Sequence, residues 1–179
     1  MSLSVITNMD GHYHLLGYSC YHKRRLFRHR DLFQSFEESL ARTLNHLSAD
    51  CLAYIIMPSH VHLVVNLPDR ISVTDFSRSL KRPFSFQAIR WLEEHEPAII
   101  GWLTVKHGER TVRRFWQAGG GYDRVIDSEE GLREVVHYVH ENPVRAGLAV
   151  EAKEWEWSSA KYYADGTKGV VPVLRPEWF

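Results

Sequence analysis

The segment IIMPSHVHLVV, residues 55–65, constrains the fold of this chain more than any other. Two apolar runs are separated by a Pro-Ser pair, which is typical of two strands joined as an antiparallel hairpin. Because strand side chains alternate between faces, Val61 and Leu63 share an apolar face that must meet helices. His60 and His62 lie together on the other face. Two imidazoles on one strand face call for an explanation.

The rest of the chain alternates between strand and helix patterns. The order strand, helix, strand, strand, helix, strand, helix indicates an α+β fold, a ferredoxin-like antiparallel sheet with helices on one face. We expect one domain over residues 1–179, with a core of about 12–150 and an aromatic C-terminal tail over 151–179. Strands are predicted over about 13–22, 51–57, 60–67 and 112–126, the last broken by three glycines, and helices over 30–47, 72–96, with an interruption at Pro83, and 128–143.

Composition excludes several classes of protein. A hydrophobic fraction of 44% and a charged fraction of 25% are typical of a folded chain, not a disordered one. We see no membrane-spanning run and no signal peptide, and so predict a cytoplasmic protein without membrane contact. Cys20 and Cys51 allow one disulfide, but their apolar neighbours favour buried thiols in a reducing compartment. The net charge of zero leaves only local clusters to indicate nucleic-acid binding.

His60 and His62 are a candidate pair of metal ligands. Their backbones are about 7 Å apart, so both side chains can lean toward one cation or one phosphate. Two ligands do not complete a site, and a third must come from elsewhere. The pair alone favours a plainer interpretation, in which both are polar residues on the solvent face of the sheet. No suitable ligand follows before Asp69, which argues against a zinc hydrolase.

The helix predicted over 128–143 carries a second pair of polar side chains. Tyr138 and Asn142 are four residues apart and therefore lie on one flank of the apolar stripe of this helix. Both could face the exposed side of the sheet. The alternative, which these residues alone favour, is that Tyr138 is an aromatic residue at the rim and Asn142 merely ends the helix before Pro143.

Three further blocks accompany the hairpin in order along the chain. MPSHVHLVV resembles a block of the IS200-like, single-tyrosine HUH transposases. YVHENPVRAGL (138–148) and WEWSSAKYY (155–163) resemble blocks of the REP-associated tyrosine transposases within that group. RFWQ…YDRVI (114–126) lies in the expected place, between MPSHVHLVV and YVHENPVRAGL. The resemblance covers about residues 12–163, and it favours the functional interpretation of both polar pairs.

The resemblance implies roles for four residues. His60 and His62 match the pair that binds a divalent cation, Mg²⁺ or Mn²⁺. Tyr138 matches the nucleophile that forms a 5′-phosphotyrosine with single-stranded DNA. Asn142 stands where the wider family has a polar third metal ligand, often the longer Gln. The implied DNA ligand is a short imperfect hairpin with an unpaired flank.

Three basic clusters are candidates for holding that DNA. Each alone is more typical of a solvated charged surface, but three clusters beside aromatic residues suit a groove for single-stranded DNA. They are Lys23, Arg24 and Arg25; Arg78, Lys81 and Arg82; and Arg110, Arg113 and Arg114.

Alternatives remain open at this point. The chain is either a DNA-cleaving and rejoining enzyme or a derived binding protein that holds hairpin DNA or RNA without cutting. Its oligomeric state is either a homodimer, in which the histidines of one subunit meet the tyrosine of the other, or a monomer.

Overall fold

The computed structural model describes residues 12–177 and 179. Its main sheet has four antiparallel strands, and a separate two-stranded hairpin follows the second long helix. The strands are β1 His12–Ser19, β2 Asp50–Met57, β3 His60–Leu67, β4 Thr104–His107, β5 Arg110–Arg113 and β6 Tyr122–Ile126, and the helices are α1 Arg30–Leu47, α2 Val73–His95, α3 Pro97–Leu103, α4 Glu129–His140, α5 Asn142–Arg145 and α6 Ala160–Asp165.

The main sheet has the strand order β2-β3-β1-β6. Helix α1 connects β1 to β2, and β3 then inserts between them, so that every neighbouring pair is antiparallel. This arrangement is the split β-α-β unit of ferredoxin-like sheets. The antiparallel α+β fold is therefore confirmed.

Helices cover both faces of this sheet, and in this respect the expected arrangement on one face needs correction. Val61 and Leu63 pack with α1 and α2 in one core cluster, as predicted. Helix α4 lies on the opposite face, where its Val135 and Val139 pack against Val64 of β3. The reason is that the sheet is apolar on this face as well, through Leu15 of β1, Ile55 of β2 and Val64 of β3, so it also needs a cover. His60 and His62 lie where that cover ends.

Two predicted elements differ in detail. Helix α2 runs without a break through Pro83. Pro83 is exposed, so the carbonyl group that loses its helical partner one turn earlier can be hydrated. The strand predicted over 112–126 is two strands in different sheets, β5 and β6, because Gly119 and Gly121 adopt positive φ angles between them.

The C-terminal segment covers the outer edge of β2. The Ile56 amide donates to the Trp157 carbonyl at 2.9 Å, and the Leu174 amide donates to the Cys51 carbonyl at 2.8 Å. An edge strand with unpaired amides is a site of aggregation, so this cover protects the sheet. Cys20 and Cys51 are both free and buried, as favoured by their apolar neighbours. No helix in the described part of the chain has the length and apolar character to cross a membrane.

His140 fastens α4 to this segment and makes stability depend on pH. It is buried, and its Nε2 atom is hydrogen bonded to Ser159 Oγ at 2.8 Å. Burial, with a smaller contribution from the charge of His137, lowers its pKa from 6.5 to about 4. The unfolded chain therefore takes up this proton first, and the free energy of unfolding decreases as pH falls from about 6.5 to 4.

We expect this one histidine to account for about 3 kcal/mol of that decrease. Urea unfolding of wild type and of His140→Gln across this pH range measures it. The variant should be less stable at neutral pH, because the hydrogen bond changes, and should depend less steeply on pH. An equally steep dependence in the variant would contradict the role of His140.

Candidate nuclease site

The histidine pair begins strand β3, next to the Pro58–Ser59 turn. The two ring centroids are 5.0 Å apart, so both side chains lean toward one point as the spacing predicted. Burial lowers the pKa of His60, opposed by a hydrogen bond to Asn142. Burial, aided by the charges of His60 and Arg145, lowers the pKa of His62 to about 4. Both imidazoles are therefore neutral at pH 7 and able to present a lone pair.

Gly17 leaves room for the His62 ring because it has no side chain. It lies opposite His62 in the β1–β3 register and opposite Tyr122 in the β1–β6 register. A Cβ atom at this position would lie 3.2 Å from His62 Nδ1 and 3.3 Å from the Tyr122 Cβ atom. Any larger residue would therefore displace the ring. His62 Nδ1 is buried and has no hydrogen-bond partner in the part of the chain that the structure describes.

Tyr138 lies beside the histidine pair. Its ring centroid is 5.7 Å from that of His62, and the residue is 40% exposed, so it is accessible from solvent. Arg145 contacts both the ring and the backbone of Tyr138. The Arg145 guanidinium carbon is 4.4 Å from the centre of the ring, and its Nη atom donates to the Tyr138 carbonyl at 2.6 Å. The nucleophile candidate is thus on a rigid element, beside a fixed cation.

Asn142 joins the two halves of the site. Its Nδ2 atom donates to the Tyr138 carbonyl at 2.9 Å, which caps the end of α4, and its side chain also hydrogen bonds to His60. Asn142 therefore does end the helix, as the plainer interpretation held. Because its amide nitrogen makes that hydrogen bond, its amide oxygen lies beside the histidines. Among the described residues, no group of three or more His, Cys, Asp or Glu could hold a metal. The Asn142 amide is a polar group that the structure places against this pair.

Three other tyrosines compete with Tyr138 as candidates for the nucleophile. Tyr122 follows three glycines in the sequence, which predicts a poorly fixed side chain, but in the structure it begins β6 and lies in a small cavity with His60 and His62. It is the strongest competitor of Tyr138. Tyr163 is partly buried, its hydroxyl donates to the Leu52 carbonyl at 2.9 Å, and burial raises its pKa. Tyr162 lines a different cavity, together with C-terminal residues.

The basic clusters occupy separate surfaces. Arg78 and Arg82 are exposed on α2, whereas Lys81 is half-buried, with Nζ 3.3 Å from the Gly119 carbonyl, and lines the cavity of the histidine pair. Arg113 forms an ion pair with Glu93, and Arg114 follows it at the end of β5. Lys23, Arg24 and Arg25 follow β1 in a second, larger cavity.

Known proteins resemble this chain in both sequence and fold. The profile of the family described as transposase IS200 like matches residues 7–142. The Haemophilus influenzae protein named "Putative REP-associated tyrosine transposase" is 27% identical over 139 residues, 72% of this chain and 69% of that protein. The REP-associated tyrosine transposase of Escherichia coli is 22% identical over 143 residues, 79% and 71% of the two chains.

A solved structure has the same fold. It is the structure of a REP-associated tyrosine transposase bound to a REP hairpin, with a TM-score of 0.66 and 16% identity, over 97% of this chain and 92% of that one. The likeness extends over nearly the whole of both chains and shows that they share a fold. The chain belongs to the IS200-like transposase family, and the resemblance found in its sequence blocks is confirmed.

Sequence reasoning missed the roles of two residues around the site and the position of a third. Arg145 is seven residues after Tyr138, a spacing of two helical turns that could have indicated the contact. Gly17 in the middle of a strand is a known sign of close approach by another group. The position of Tyr122 beside the histidines could not have been found, because it depends on the pairing of β6 with β1.

Proposed function

We propose that this transposase cleaves and rejoins single-stranded DNA next to hairpin repeats, through a covalent 5′-phosphotyrosine on Tyr138. In this reaction the Tyr138 oxygen bonds to phosphorus, the bond to the 3′ oxygen breaks, and a 3′-hydroxyl is released. The phenol loses its proton and the departing oxygen gains one. The link conserves the phosphodiester, so another 3′-hydroxyl can attack it and join strands without ATP.

One observation carries this proposal. Tyr138, on α4, lies beside His62, on β3, although 76 positions separate them in the sequence. The face of β3 that holds the histidines is covered by apolar residues of α4 except at this end, where a phenol and an amide replace them. A purely structural helix end has no need for an exposed phenol fixed by an arginine.

The residues fit a divalent cation. His60 and His62 are neutral nitrogen donors, the Asn142 amide oxygen is a hard donor, and His62 Nδ1 lacks a protein partner among the described residues. We propose that these three side chains hold Mg²⁺ or Mn²⁺. When bound, the ion would neutralise charge that develops on the scissile phosphate. Three protein ligands leave room for phosphate oxygens.

We also propose that each chain carries a complete site. Both histidines, Asn142 and Tyr138 come together within one copy, so no residue of a partner subunit is needed. This favours a monomer over the homodimer that exchanges tyrosines. Acting on DNA, the protein would work in the cytoplasm.

A labelled DNA hairpin with an unpaired flank, incubated with Mn²⁺, tests the proposed function. A protein–DNA adduct that survives denaturation is the expected result. Binding without an adduct would instead identify a derived hairpin-binding protein. Hydrolysis of a small ester without DNA cleavage would identify an unrelated hydrolase.

The α2 cluster should contact phosphates. Replacing Arg78 and Arg82 with Ala should weaken hairpin binding and reduce the slope of log K against log salt by up to about two units, one for each lost contact. Arg90→Ala is the matched control, because its side chain is on the same helix and equally exposed, 65%. Titrations at several salt concentrations measure the slope. An unchanged slope would assign this surface to solvent.

A further inference from the structure

A second cavity, of about 830 Å³, lies between the segment after β1 and helix α3. We call it the Trp102 pocket. It combines aromatic walls with cations, and its lining includes Lys23, Arg24, Arg25, Arg28, Trp102 and Trp155. A cavity with both components can hold a base by its face and a phosphate by its charge.

Trp102 is the central surface of this pocket. It is 59% exposed, an unusual exposure for so large an apolar side chain. The Arg24 guanidinium carbon lies 4.5 Å from the centre of its ring, so one face is occupied by a cation and the rest is open. Arg24 Nε is buried and has no hydrogen-bond partner among the described residues. The pair forms a stacking platform with an unused donor.

The cations of this pocket are also available. Within the described part of the chain, Lys23, Arg24 and Arg25 have no carboxylate as an ion-pair partner. By contrast, Arg113 pairs with Glu93, and Arg28, at the margin of the pocket, pairs with Glu96 at 3.4 Å. Unpaired cations beside an exposed indole favour an anionic ligand with a flat aromatic group.

The pocket is connected to the histidine pair through the backbone. The Phe27 amide donates to the Pro58 carbonyl at 3.0 Å, and the Cys20 amide donates to the Ser59 carbonyl at 2.8 Å. The segment between them is thus fastened to the turn that immediately precedes His60. Pro58 also lines the pocket. DNA that leaves the cleavage site along this turn would enter the Trp102 pocket directly.

We propose that the Trp102 pocket binds an unpaired nucleotide of the DNA strand next to the cleavage position, with the base stacked on Trp102 and its phosphates against Arg24 and Arg25. The inference rests on the proposed function, since it assumes that the DNA strand passes the histidines. A paired stem could not present its base faces to this surface, so the pocket would distinguish an unpaired flank from the hairpin itself.

The test compares two probes and two variants. The probes are a DNA stem-loop with an unpaired thymidine extension and the same stem-loop without it. Loss of one stacked base weakens binding by roughly tenfold. We therefore expect Trp102→Ala to weaken binding of the extended probe by about that factor and leave the blunt probe unchanged. Trp102→Phe keeps a ring and should restore most of the affinity.

Crosslinking identifies the contact directly. With 5-iododeoxyuridine in the extension, irradiation should attach the DNA to Trp102, as mapped by peptide mass spectrometry. Equal binding of the extended probe by Trp102→Ala and wild type would overturn the inference and leave the proposed function intact. An equal loss of affinity for both probes in Trp102→Ala would have the same consequence. If the wild-type protein binds neither probe, the proposed function and this inference both fail.

Discussion

Replacing Tyr138 with Phe should abolish the covalent protein–DNA adduct and leave hairpin binding within about twofold of wild type. The substitution removes one oxygen, the atom that would bond to phosphorus in the proposed reaction. The ring remains, so its contacts with His62 and Arg145 persist. Denaturing gels with labelled DNA measure the adduct, and a gel-shift titration measures binding.

Tyr122→Phe is the matched control for this experiment. Tyr122 is the other exposed tyrosine beside the histidine pair, at 53% exposure against 40% for Tyr138. The control variant should keep the adduct. An adduct yield equal to that of wild type in Tyr138→Phe would contradict the assignment of Tyr138 as the nucleophile. Loss of the adduct in Tyr122→Phe alone would identify Tyr122 as the nucleophile instead.

Replacing both His60 and His62 with Ala should remove Mn²⁺ binding and reduce cleavage by at least about 100-fold, the effect of losing one charge-stabilising group at an active site. The fold should survive, because neither side chain is fully buried. Calorimetry or electron paramagnetic resonance of added Mn²⁺ measures the ion directly, and adduct formation measures the chemistry.

The matched control replaces His46 and His137, two exposed histidines outside this constellation. That variant should bind Mn²⁺ and cleave as wild type does. Cleavage at the wild-type rate by the His60/His62 variant would contradict the metal assignment. Asn142→Ala separates the third ligand from the pair. It should weaken Mn²⁺ binding less than the double replacement, since one donor of three is lost.

Much of the fold could be predicted because local patterns determine it. The stripe of Leu32, Phe36 and Leu40 predicted α1 to the residue, and the Pro-Ser break predicted the β2–β3 hairpin. Serine is a typical residue at the start of a helix, and Ser128 indeed caps α4, where it accepts a hydrogen bond from the Gly131 amide at 3.1 Å. In each case the deciding interactions lie within a few residues along the chain.

The remaining features depend on contacts that are distant in sequence. Helix α4 packs on the face of the sheet that holds Leu15, Ile55 and Val64, three residues from three different strands, and the alternating pattern of one strand does not reveal such a face. The β2 edge is covered by a segment about a hundred residues later, through Trp157 and Leu174. The segment 112–126 divides between two sheets because of the conformations of its glycines, and the pattern of apolar residues does not reveal those conformations.

The residues of the candidate site could be proposed from the sequence, but their arrangement could not. Strand spacing placed His60 and His62 together, and the family resemblance supplied Tyr138 and Asn142. The sequence could not indicate that Asn142 caps the helix while contacting His60, because that requires knowing where α4 ends over β3. For the same reason, the roles of Gly17 and Arg145 became apparent only in three dimensions.

Peptide mapping of a trapped adduct tests the central claim most directly. Wild-type protein is incubated with a labelled DNA hairpin and Mn²⁺, denatured and digested, and the modified peptide is sequenced by mass spectrometry. The proposed mechanism predicts a nucleotide phosphate on Tyr138, in the peptide that contains YVHENPVR. A phosphate on Tyr122, Tyr162 or Tyr163, with Tyr138 unmodified, would contradict it.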